Sequence, residues 1–492
     1  MSQTPVYEPP PITSEIDMTV DEKKTARKSV AGSAIGNAIE WFDYGIYGYL
    51  LVYISELFFT FDEDGSALAR VMALGTFAVS FLVRPLGGFI FGPLGDRFGR
   101  QKVLVLTIAL ISTSTACIGL LPTYDHIGFL APVLLILLRA IQGFSAGGEY
   151  AGAAVFMAEH APDNRRGIYG CFLEFGTLVG YSGAAILCTV LTLIVGEDGM
   201  LAGWWRLPFV LTILMGILAL WMRRHLHDPE TFTEDVEEEI DHPSAIKALG
   251  NLLKTYPLQV LKLIGFVTLL NVAFYLVLTY MPSYLSATLG HGTAEANFSL
   301  VIIQLVMIAV IVPFGALSDK IGRRPILITA SLGFVLFSVP AVMLIQVDSF
   351  FTQLLGIGIL GLFLVMLIST ISATLPALFP TKVRYSGFAV GYNISTAIFG
   401  GTAGMFNELL INKTGNALIP GWYLAIAGVI GFISVLTFRE TAGRSLRGNV
   451  VPGTDDELRV ARGEELIGAK TGSIPAVGES ATSNSDSKEG KR

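Results

Sequence analysis

A charged turn that occurs twice is the feature that most limits how this chain can fold. GPLGDRFGRQK, residues Gly92 to Lys102, returns as GALSDKIGRRP, residues Gly315 to Pro325. Asp96 therefore recurs as Asp319, 223 residues later in a chain of 492. Each copy joins the end of one hydrophobic segment to the start of the next. A polar turn repeated at half-chain spacing indicates a membrane protein built from two similar halves.

A second repeat has almost the same spacing. APDNRRG begins at Ala161 and FPTKVRYSG begins at Phe379, and each contains a proline followed four residues later by an arginine. Pro162 and Pro380 are 218 residues apart. Two independent repeats with similar offsets support a duplicated architecture.

Composition places this duplicated chain in a lipid bilayer. Hydrophobic residues make up 52% of the chain and charged residues only 15%, against about 25% charged residues in a typical soluble domain. A helix needs about 20 apolar residues to cross a bilayer. Twelve such segments are predicted, at roughly 29–58, 69–94, 102–121, 130–157, 167–195, 205–222, 258–285, 296–318, 326–346, 350–377, 385–411 and 419–438. The predicted fold is all-α, with twelve transmembrane helices in two pseudo-symmetric six-helix bundles.

The distribution of basic residues predicts that both ends of the chain lie in the cytoplasm. Lysines and arginines concentrate before the first span and after the even-numbered spans, which is the bias of cytoplasmic loops. We therefore expect a multi-pass protein of the inner (cytoplasmic) membrane. Its predicted parts are an N-terminal tail (1–28), a first bundle (29–222), a cytoplasmic connecting loop (223–257), a second bundle (258–438) and a disordered cytoplasmic tail (439–492).

Four acidic residues fall inside predicted spans. Glu40 and Asp43 lie in the first span, Glu149 in the fourth and Glu174 in the fifth. An ionisable group at such a position costs roughly 2.5 to 3.5 kcal/mol, so each needs a partner or a function. All four are candidates for proton coupling. The alternative for each is a carboxylate paired with an arginine or with backbone amides, which would only fix helix packing.

The first span has one polar face. Asn37, Glu40, Tyr44 and Tyr47 recur at helical spacing, so they share one side of the helix. A polar face on an otherwise apolar span predicts the wall of a cavity. The fourth span repeats the pattern with Arg139, Gln142 and Glu149.

Two arginines are candidate anchors for a substrate carboxylate. Arg84 lies in the second span and Arg206 begins the sixth. A guanidinium group presents a planar fork that can bind both oxygens of a carboxylate. The alternative is that either arginine neutralises an embedded acid.

Several strings carry a family resemblance. The twelve spans, the long central loop and the paired charged turns resemble the major facilitator superfamily over nearly the whole chain outside its tails. GNAIEWFDYGIYG, RPLGG, QGFSAGGEYAGA and WWRLPF are similar to its metabolite:H⁺ symporters, and LTYMPSYLS and TLPALFPTKVRYS to those that carry proline and glycine betaine. The resemblance implies a secondary active transporter rather than an enzyme. It also implies that the first, fourth, seventh and tenth helices line a central cavity.

The implied substrate is a zwitterionic compatible solute such as proline or glycine betaine, imported with H⁺. A quaternary ammonium group has no N–H to donate, so a betaine site would hold it against aromatic rings. The candidate rings and their polar neighbours are Asn37, Trp41, Tyr44, Tyr47, Tyr150, Asn271, Tyr275, Tyr280, Tyr392 and Asn393. The alternative for any ring is packing or a position at the membrane interface.

The two charged turns are predicted to gate the cytoplasmic side. Their residues would pair with each other and with exposed helix ends while the cavity faces outward: Asp96, Arg97, Arg100, Asp319, Lys320 and Arg323. The chain contains no GxxxxGK[ST] loop, so ATP-driven transport is not expected. We expect no cofactor, and the three cysteines are interpreted as packing thiols without a metal role.

Two other functions are compatible with the sequence. One is an H⁺ symporter for an organic acid such as 2-oxoglutarate, citrate or shikimate, with Arg84 and Arg206 binding the substrate. The other is a membrane osmolyte sensor, although no recognisable enzymatic or DNA-binding domain follows the spans. In every case the expected partners are a small molecule, H⁺ and the lipid bilayer, without nucleic acid, and the protein is expected to function as a monomer.

Overall fold

The computed structural model describes residue 14, residues 18–59, 66–98, 100–147, 149–225 and 254–446, and residue 451. Within these ranges every regular element is a helix. The predicted all-α fold is confirmed, with one long helix at each of the twelve predicted spans.

The first half contains six long helices. They are α1 (Val20–Tyr49, continued by Leu51–Phe59), α2 (Ser66–Phe98), α3 (Arg100–Leu120), α4 (Leu130–Ser145, continued by Glu149–His160), α5 (Arg166–Gly199) and α6 (Arg206–His225). The second half repeats this number. Its helices are α7 (Pro257–Phe274, continued to Thr288), α8 (Thr293–Ile321), α9 (Arg323–Ile345), α10 (Phe350–Thr374), α11 (Arg384–Ser395, continued by Thr402–Thr414) and α12 (Ile419–Leu436).

Most of these helices are suited to a bilayer. Nine stretches of the described chain are long and apolar enough to cross a membrane, and shorter apolar stretches lie in α3 and α6. The remaining helix, α1, carries charged residues along Val20–Tyr49. It begins at Val20, within the predicted N-terminal tail. Its first turns contain the charged residues that precede the apolar run.

The outer faces of the bundle expose large apolar side chains. Each of the following is more than half exposed: Leu193, Ile194, Leu214, Leu261, Phe351 and Ile433. So much exposed hydrocarbon is unfavourable in water. Lipid is therefore the solvent that these faces require.

The two halves are related by their helix contacts. Within the halves, α1 packs on α5 as α7 packs on α11, and α3 packs on α6 as α9 packs on α12. Between the halves, α5 packs on α8 and α2 packs on α11. Adding six to the number of a first-half helix gives its counterpart in the second half. Each of these contacts is matched by a contact between the two counterpart helices. The contacts therefore have the pseudo-twofold pattern that the sequence repeats predict.

The Pro-x-x-x-Arg repeats occupy equivalent places in this arrangement. Arg166 begins α5 and Arg384 begins α11, and both side chains are buried. Arg166 donates to the carbonyl oxygen of Ala158 at 3.0 Å, whereas Arg384 forms an ion pair of 2.6 Å with Glu159 in the other half. Both arginines therefore contact the second segment of α4, Arg166 from within its own half and Arg384 from the other half.

The chain after α12 folds back against both halves. The carbonyl oxygen of Leu446 accepts a hydrogen bond of 2.5 Å from Arg384, and that of Arg444 accepts one of 3.1 Å from Arg166. The side chain of Leu446 is buried against Ala158. The predicted disordered tail from residue 439 is therefore corrected for residues 439–446, because backbone carbonyls there accept bonds from buried arginines. We call this end of the bundle the terminal end, and the other the opposite end.

Helices α1 and α5 approach each other at glycines. A Cβ atom on Gly176 would lie 2.1 Å from the carbonyl oxygen of Ala34, and one on Gly180 would lie 2.2 Å from that of Ala38. Small residues permit such close backbone contact inside a membrane. This contact fixes α1, which carries the buried acids Glu40 and Asp43, against α5.

Gly180→Ala is expected to destabilise the protein by about 1 to 3 kcal/mol, because the added methyl group must push α1 away from α5. The measurement is the thermal unfolding midpoint of the purified protein in detergent. Gly36→Ala on α1 is the control, since no atom lies within 4 Å of a Cβ built there. Equal midpoints for the two variants would contradict the role of this contact.

Candidate functional site

A small cavity lies between the two halves. Its lining comes from α1, α5, α7, α10 and α11: Trp41, Glu174, Leu270, Asn271, Phe274, Tyr275, Ile368, Ile371 and Tyr392. The cavity volume is about 10 Å³, close to the least that a single water molecule needs. A solute of several heavy atoms therefore requires the halves to separate slightly before it can bind.

Aromatic rings from both halves close this cavity. The ring of Trp41 lies 5.1 Å from that of Phe274, and the ring of Tyr275 lies 4.9 Å from that of Phe81. Tyr181 also contacts Phe274, at 5.3 Å and nearly perpendicular. These contacts cross from one half to the other, so the cavity walls move apart when the halves do.

The indole of Trp41 is held in place by Asn37. Trp41 Nε1 donates to Asn37 Oδ1 at 3.0 Å. The amide nitrogen of Asn37 in turn donates to the carbonyl oxygen of Leu173 at 2.8 Å and to Thr177 at 2.6 Å. Both amide hydrogens are therefore used. The structure places Asn37 as a support for Trp41 between α1 and α5, not as part of the cavity lining.

Glu174 is the acid that lines the cavity. Its carboxylate accepts a hydrogen bond of 2.5 Å from the hydroxyl of Tyr150, whose ring stacks on that of Tyr392 at 4.5 Å. Glu174 is buried, and the described side chains form no ion pair with it. An ionised carboxylate in the membrane interior needs a cation or a proton. Here the hydrogen-bond partners are the neutral hydroxyls of Tyr150 and Thr177.

Glu40 has a different environment. Its carboxylate lies 3.3 Å from the guanidinium group of Arg84. That group is also 4.9 Å from the centres of the Tyr44 and Phe81 rings. Arg84 is thus already engaged by a carboxylate and by aromatic faces, and Tyr44 packs against this cation.

Asp43 belongs to a polar cluster inside the first half. Its carboxylate accepts from the hydroxyl of Thr115 at 3.3 Å, and Gln142 donates to the same hydroxyl at 2.9 Å. Gln142 also accepts from Arg139, whose guanidinium lies 4.3 Å from the centre of the Tyr47 ring. The helical spacing of Arg139 and Gln142 could have indicated this cluster, whereas the role of Thr115 depends on a neighbouring helix.

The remaining predicted binding residues divide between the cavity and the helix contacts. Tyr275 and Tyr392 line the cavity, as does Asn271, which donates to Thr396 at 3.1 Å. Tyr47 instead donates to the carbonyl oxygen of Ala73 at 2.9 Å within the first half. Asn393 donates across the halves to the carbonyl oxygen of Gly147 at 3.2 Å.

Arg206 lies apart from the cavity. Its guanidinium donates to the carbonyl oxygens of Gly119 at 2.9 Å and Leu121 at 2.6 Å, and it lies over the ring of Trp205. These contacts tie the start of α6 to the end of α3 at the opposite end. The structure therefore does not bring Arg206 together with Arg84.

Some predicted residues have side chains outside the described part of the structure. They are Glu149, Asp96, Arg97 and Arg100. Glu149 begins the second segment of α4, immediately before Tyr150.

The second charged turn contacts the other half at the terminal end. Asp319 accepts hydrogen bonds from the backbone amides of Gly167 at 2.7 Å and Ile168 at 2.9 Å, in the first turn of α5. Arg323 lies 3.6 Å from the same carboxylate, whereas Lys320 is exposed. The N-terminus of a helix favours a negative charge. The predicted contact with a helix end is present, but the helix belongs to the other half.

A second connection between the halves lies at the opposite end. Glu408 of α11 forms an ion pair of 2.7 Å with Arg70 of α2 and accepts a hydrogen bond of 2.8 Å from Tyr280. The sequence interpretation missed Glu408, although an acid inside the predicted span 385–411 was a usable signal. Because both ends are closed around the cavity, the structure is an occluded state.

Comparison with known proteins identifies the family. The model of the Major Facilitator Superfamily matches residues 33–405, and again residues 285–455. The chain belongs to the Major Facilitator Superfamily. The prediction of a transporter rather than an enzyme is thereby confirmed, and with its apolar helices the chain is a multi-pass membrane protein.

Within the superfamily the chain is similar to proteins named for compatible solutes. It is 39% identical over 445 residues to the glycine betaine/proline/ectoine/pipecolic acid transporter OusA of Dickeya dadantii (strain 3937), covering 89% of this chain and 88% of that protein. It is 38% identical over 451 residues to the proline/betaine transporter of Escherichia coli (strain K12), covering 90% and 89%. The resemblance predicted from short strings is confirmed over nearly the full length.

Solved structures support the fold alone. The proton:xylose symporter XylE bound to 6-bromo-6-deoxy-D-glucose has a TM-score of 0.67 and 16% identity, covering 86% of this chain and 98% of that one. A partially occluded inward-open conformation of XylE from E. coli has a TM-score of 0.65 and 15% identity, covering 86% and 100%.

Proposed function

We propose that this superfamily member imports a zwitterionic compatible solute of the proline and glycine betaine type together with H⁺, by alternating access. The observation that carries the proposal is the cavity between the halves, where aromatic rings surround an acid without an ion-pair partner among the described side chains. The solute names of the relatives at 38 and 39% identity support the same substrate class.

The aromatic rings suit the ammonium group of such a solute. Trp41, Tyr275 and Tyr392 come from three helices and face the same space. A quaternary ammonium group over an aromatic face gains about 0.5 to 2 kcal/mol per contact. The carboxylate of Glu174 adds a negative charge to the same wall. Slight separation of the halves would open this wall to the cation.

Glu174 is the principal candidate for proton coupling. It is the acid in the cavity lining, and its described partners are the hydroxyls of Tyr150 and Thr177. Asp43 is the second candidate, because its direct partner is also a hydroxyl. Glu40 is paired with Arg84, so it serves mainly to neutralise that cation. The role of Glu149 stays a prediction, because its side chain lies outside the described part of the structure.

Contacts that close both ends of the bundle support alternating access. We place the terminal end in the cytoplasm on the positive-inside pattern. Opening it requires Asp319 to leave the start of α5, which makes this turn the cytoplasmic gate together with the first charged turn. The cavity is lined by helices from both halves of the chain, and a functional monomer in the cytoplasmic membrane is part of the proposal.

The organic-acid alternative is less well supported by the geometry. It requires a free arginine in the cavity, but Arg84 is engaged by Glu40 and Arg206 by backbone carbonyls at the opposite end. The sensor alternative would signal through the connecting loop or the tail, and residues 226–253 and 452–492 lie outside the described part of the structure.

Uptake of labelled glycine betaine by the purified protein in liposomes tests the proposal. Under an imposed inward proton gradient we expect accumulation that a protonophore abolishes. Unlabelled proline, glycine betaine and ectoine should compete, whereas 2-oxoglutarate and citrate should not. Accumulation that is indifferent to the protonophore would reject H⁺ coupling, and competition by the dicarboxylates alone would favour the organic-acid reading.

A further inference from the structure

Three side chains from three helices meet at the opposite end of the bundle. Arg70 of α2 donates through Nε to Glu408 of α11 at 2.7 Å, and Tyr280 of α7 donates to the second carboxylate oxygen at 2.8 Å. Glu408 is fully buried, whereas the side chain of Arg70 is 15% exposed. Arg70 belongs to the first half and the other two to the second half. We call these residues the outer cluster.

Close helix packing beside the outer cluster closes this end of the bundle. Beside it, α2 and α11 are in close contact: a Cβ atom on Gly401 would lie 2.6 Å from Cα of Ala78, and one on Gly404 would lie 2.9 Å from Leu74. The two halves therefore cannot part at this end without separating Arg70 from Glu408. That separation is costly, because removing one partner of a buried ion pair leaves an uncompensated charge.

The charges of the outer cluster match those of the proposed solute. A zwitterion carries one carboxylate and one ammonium group, so it can satisfy a guanidinium and a carboxylate at the same time. The ring of Tyr280 is bonded to Glu408 through its hydroxyl, which places an aromatic surface next to the same acid. A solute with a single charge would compensate one member of the pair and leave the other unpaired.

We propose that Arg70 and Glu408 determine specificity for zwitterions as the outer gate opens. The carboxylate of the solute meets Arg70, and its ammonium group meets Glu408 and Tyr280, in place of the ion pair that the closed state contains. This inference rests on the proposed function. It adds an entry site, at the opposite end from Asp319, that selects the solute before it reaches the central cavity.

Competition between matched compounds tests this inference. The compounds are glycine betaine, choline, which keeps the trimethylammonium group, and 3,3-dimethylbutanoate, which keeps the shape and the carboxylate but has no cation. Each competes against labelled glycine betaine for uptake by the full-length protein in liposomes. The wild type should prefer glycine betaine to both single-charge compounds.

The variants should lose different parts of that preference. Glu408→Gln is expected to reduce the preference for glycine betaine over 3,3-dimethylbutanoate by about tenfold, which is the effect of losing one charge-assisted contact. Arg70→Gln should reduce the preference over choline by a similar factor. Lys413→Gln, which removes an exposed charge from the same end of α11, is the control and should change neither.

Three outcomes separate the possibilities. If both variants change inhibition by all three compounds by one common factor, the pair is only a mechanical latch and the inference is overturned. If either single variant fails to fold, the exchange Arg70→Glu with Glu408→Arg replaces it, and loss of the zwitterion preference in this paired variant would also overturn the inference. If the wild type takes up no zwitterion at all, the proposed function itself fails.

Discussion

Replacing Glu174 by Gln is expected to abolish concentrative uptake while leaving exchange of the solute intact. The glutamine side chain keeps the size of the acid, and its carbonyl oxygen can still accept the hydrogen bond from Tyr150. It cannot bind or release a proton, so the solute should only equilibrate across the membrane. The measurement compares steady-state accumulation of labelled glycine betaine under a proton gradient with counterflow in its absence.

Tyr150→Phe is the matched control for this prediction. It removes the hydroxyl that Glu174 accepts from but leaves a titratable acid, so accumulation should persist at a changed rate. Normal accumulation by Glu174→Gln would move proton coupling to Asp43 or Glu149. Loss of counterflow as well as accumulation would instead assign Glu174 to solute binding.

The sequence predicted the number of spans and their order well. A run of about 20 apolar residues has few alternatives to a membrane helix, and the two repeats revealed the duplication. Helix ends were predicted less accurately, because a helix can extend beyond the apolar run that crosses the bilayer. Helix α1 begins at Val20, ahead of its apolar run, and beyond α12 the carbonyl oxygen of Leu446 still accepts a hydrogen bond from Arg384.

The candidate site was predictable only as a set of helix faces. Helical periodicity placed Asn37, Glu40, Tyr44 and Tyr47 on one inward side of α1, but it carries no information about the neighbouring helices. The structure gives these residues different partners. Asn37 donates to a backbone carbonyl of α5, Glu40 pairs with Arg84, and Tyr47 donates to a backbone carbonyl of α2. Distances between helices, not spacing along one helix, decide which residue lines the cavity.

Pairs that join the two halves were the hardest to predict. Arg70 and Glu408 are 338 residues apart, and neither belongs to a recognisable motif. The sequence predicted that Asp319 would contact a helix end. It did not predict that this helix would be α5, which depends on the pseudo-twofold arrangement of the folded halves. A single sequence records neither relationship directly.

Asp319→Ala is expected to open the terminal end. Asp319 accepts hydrogen bonds from two backbone amides at the start of α5. Each hydrogen bond to a charged group stabilises the closed contact by about 1.5 to 3 kcal/mol. The native thiol of Cys171 reports the change, because it is buried in α5 next to Gly315 of α8. With the other two cysteines replaced by alanine, labelling of Cys171 by N-ethylmaleimide should accelerate by roughly 10- to 100-fold, while solute accumulation falls.

Two further variants show whether the charge at Asp319 or merely its shape holds the two helices together. Asp319→Asn keeps an oxygen that can accept a backbone amide but loses the charge that favours a helix N-terminus, so its labelling rate should lie between those of the wild type and the alanine variant. Lys320→Gln changes the exposed neighbouring charge and should label as the wild type does. If Cys171 remains equally protected in Asp319→Ala, this turn does not hold the terminal end closed. The segment from residue 439 to Leu446, which also bridges the halves there, would then be the gate to test.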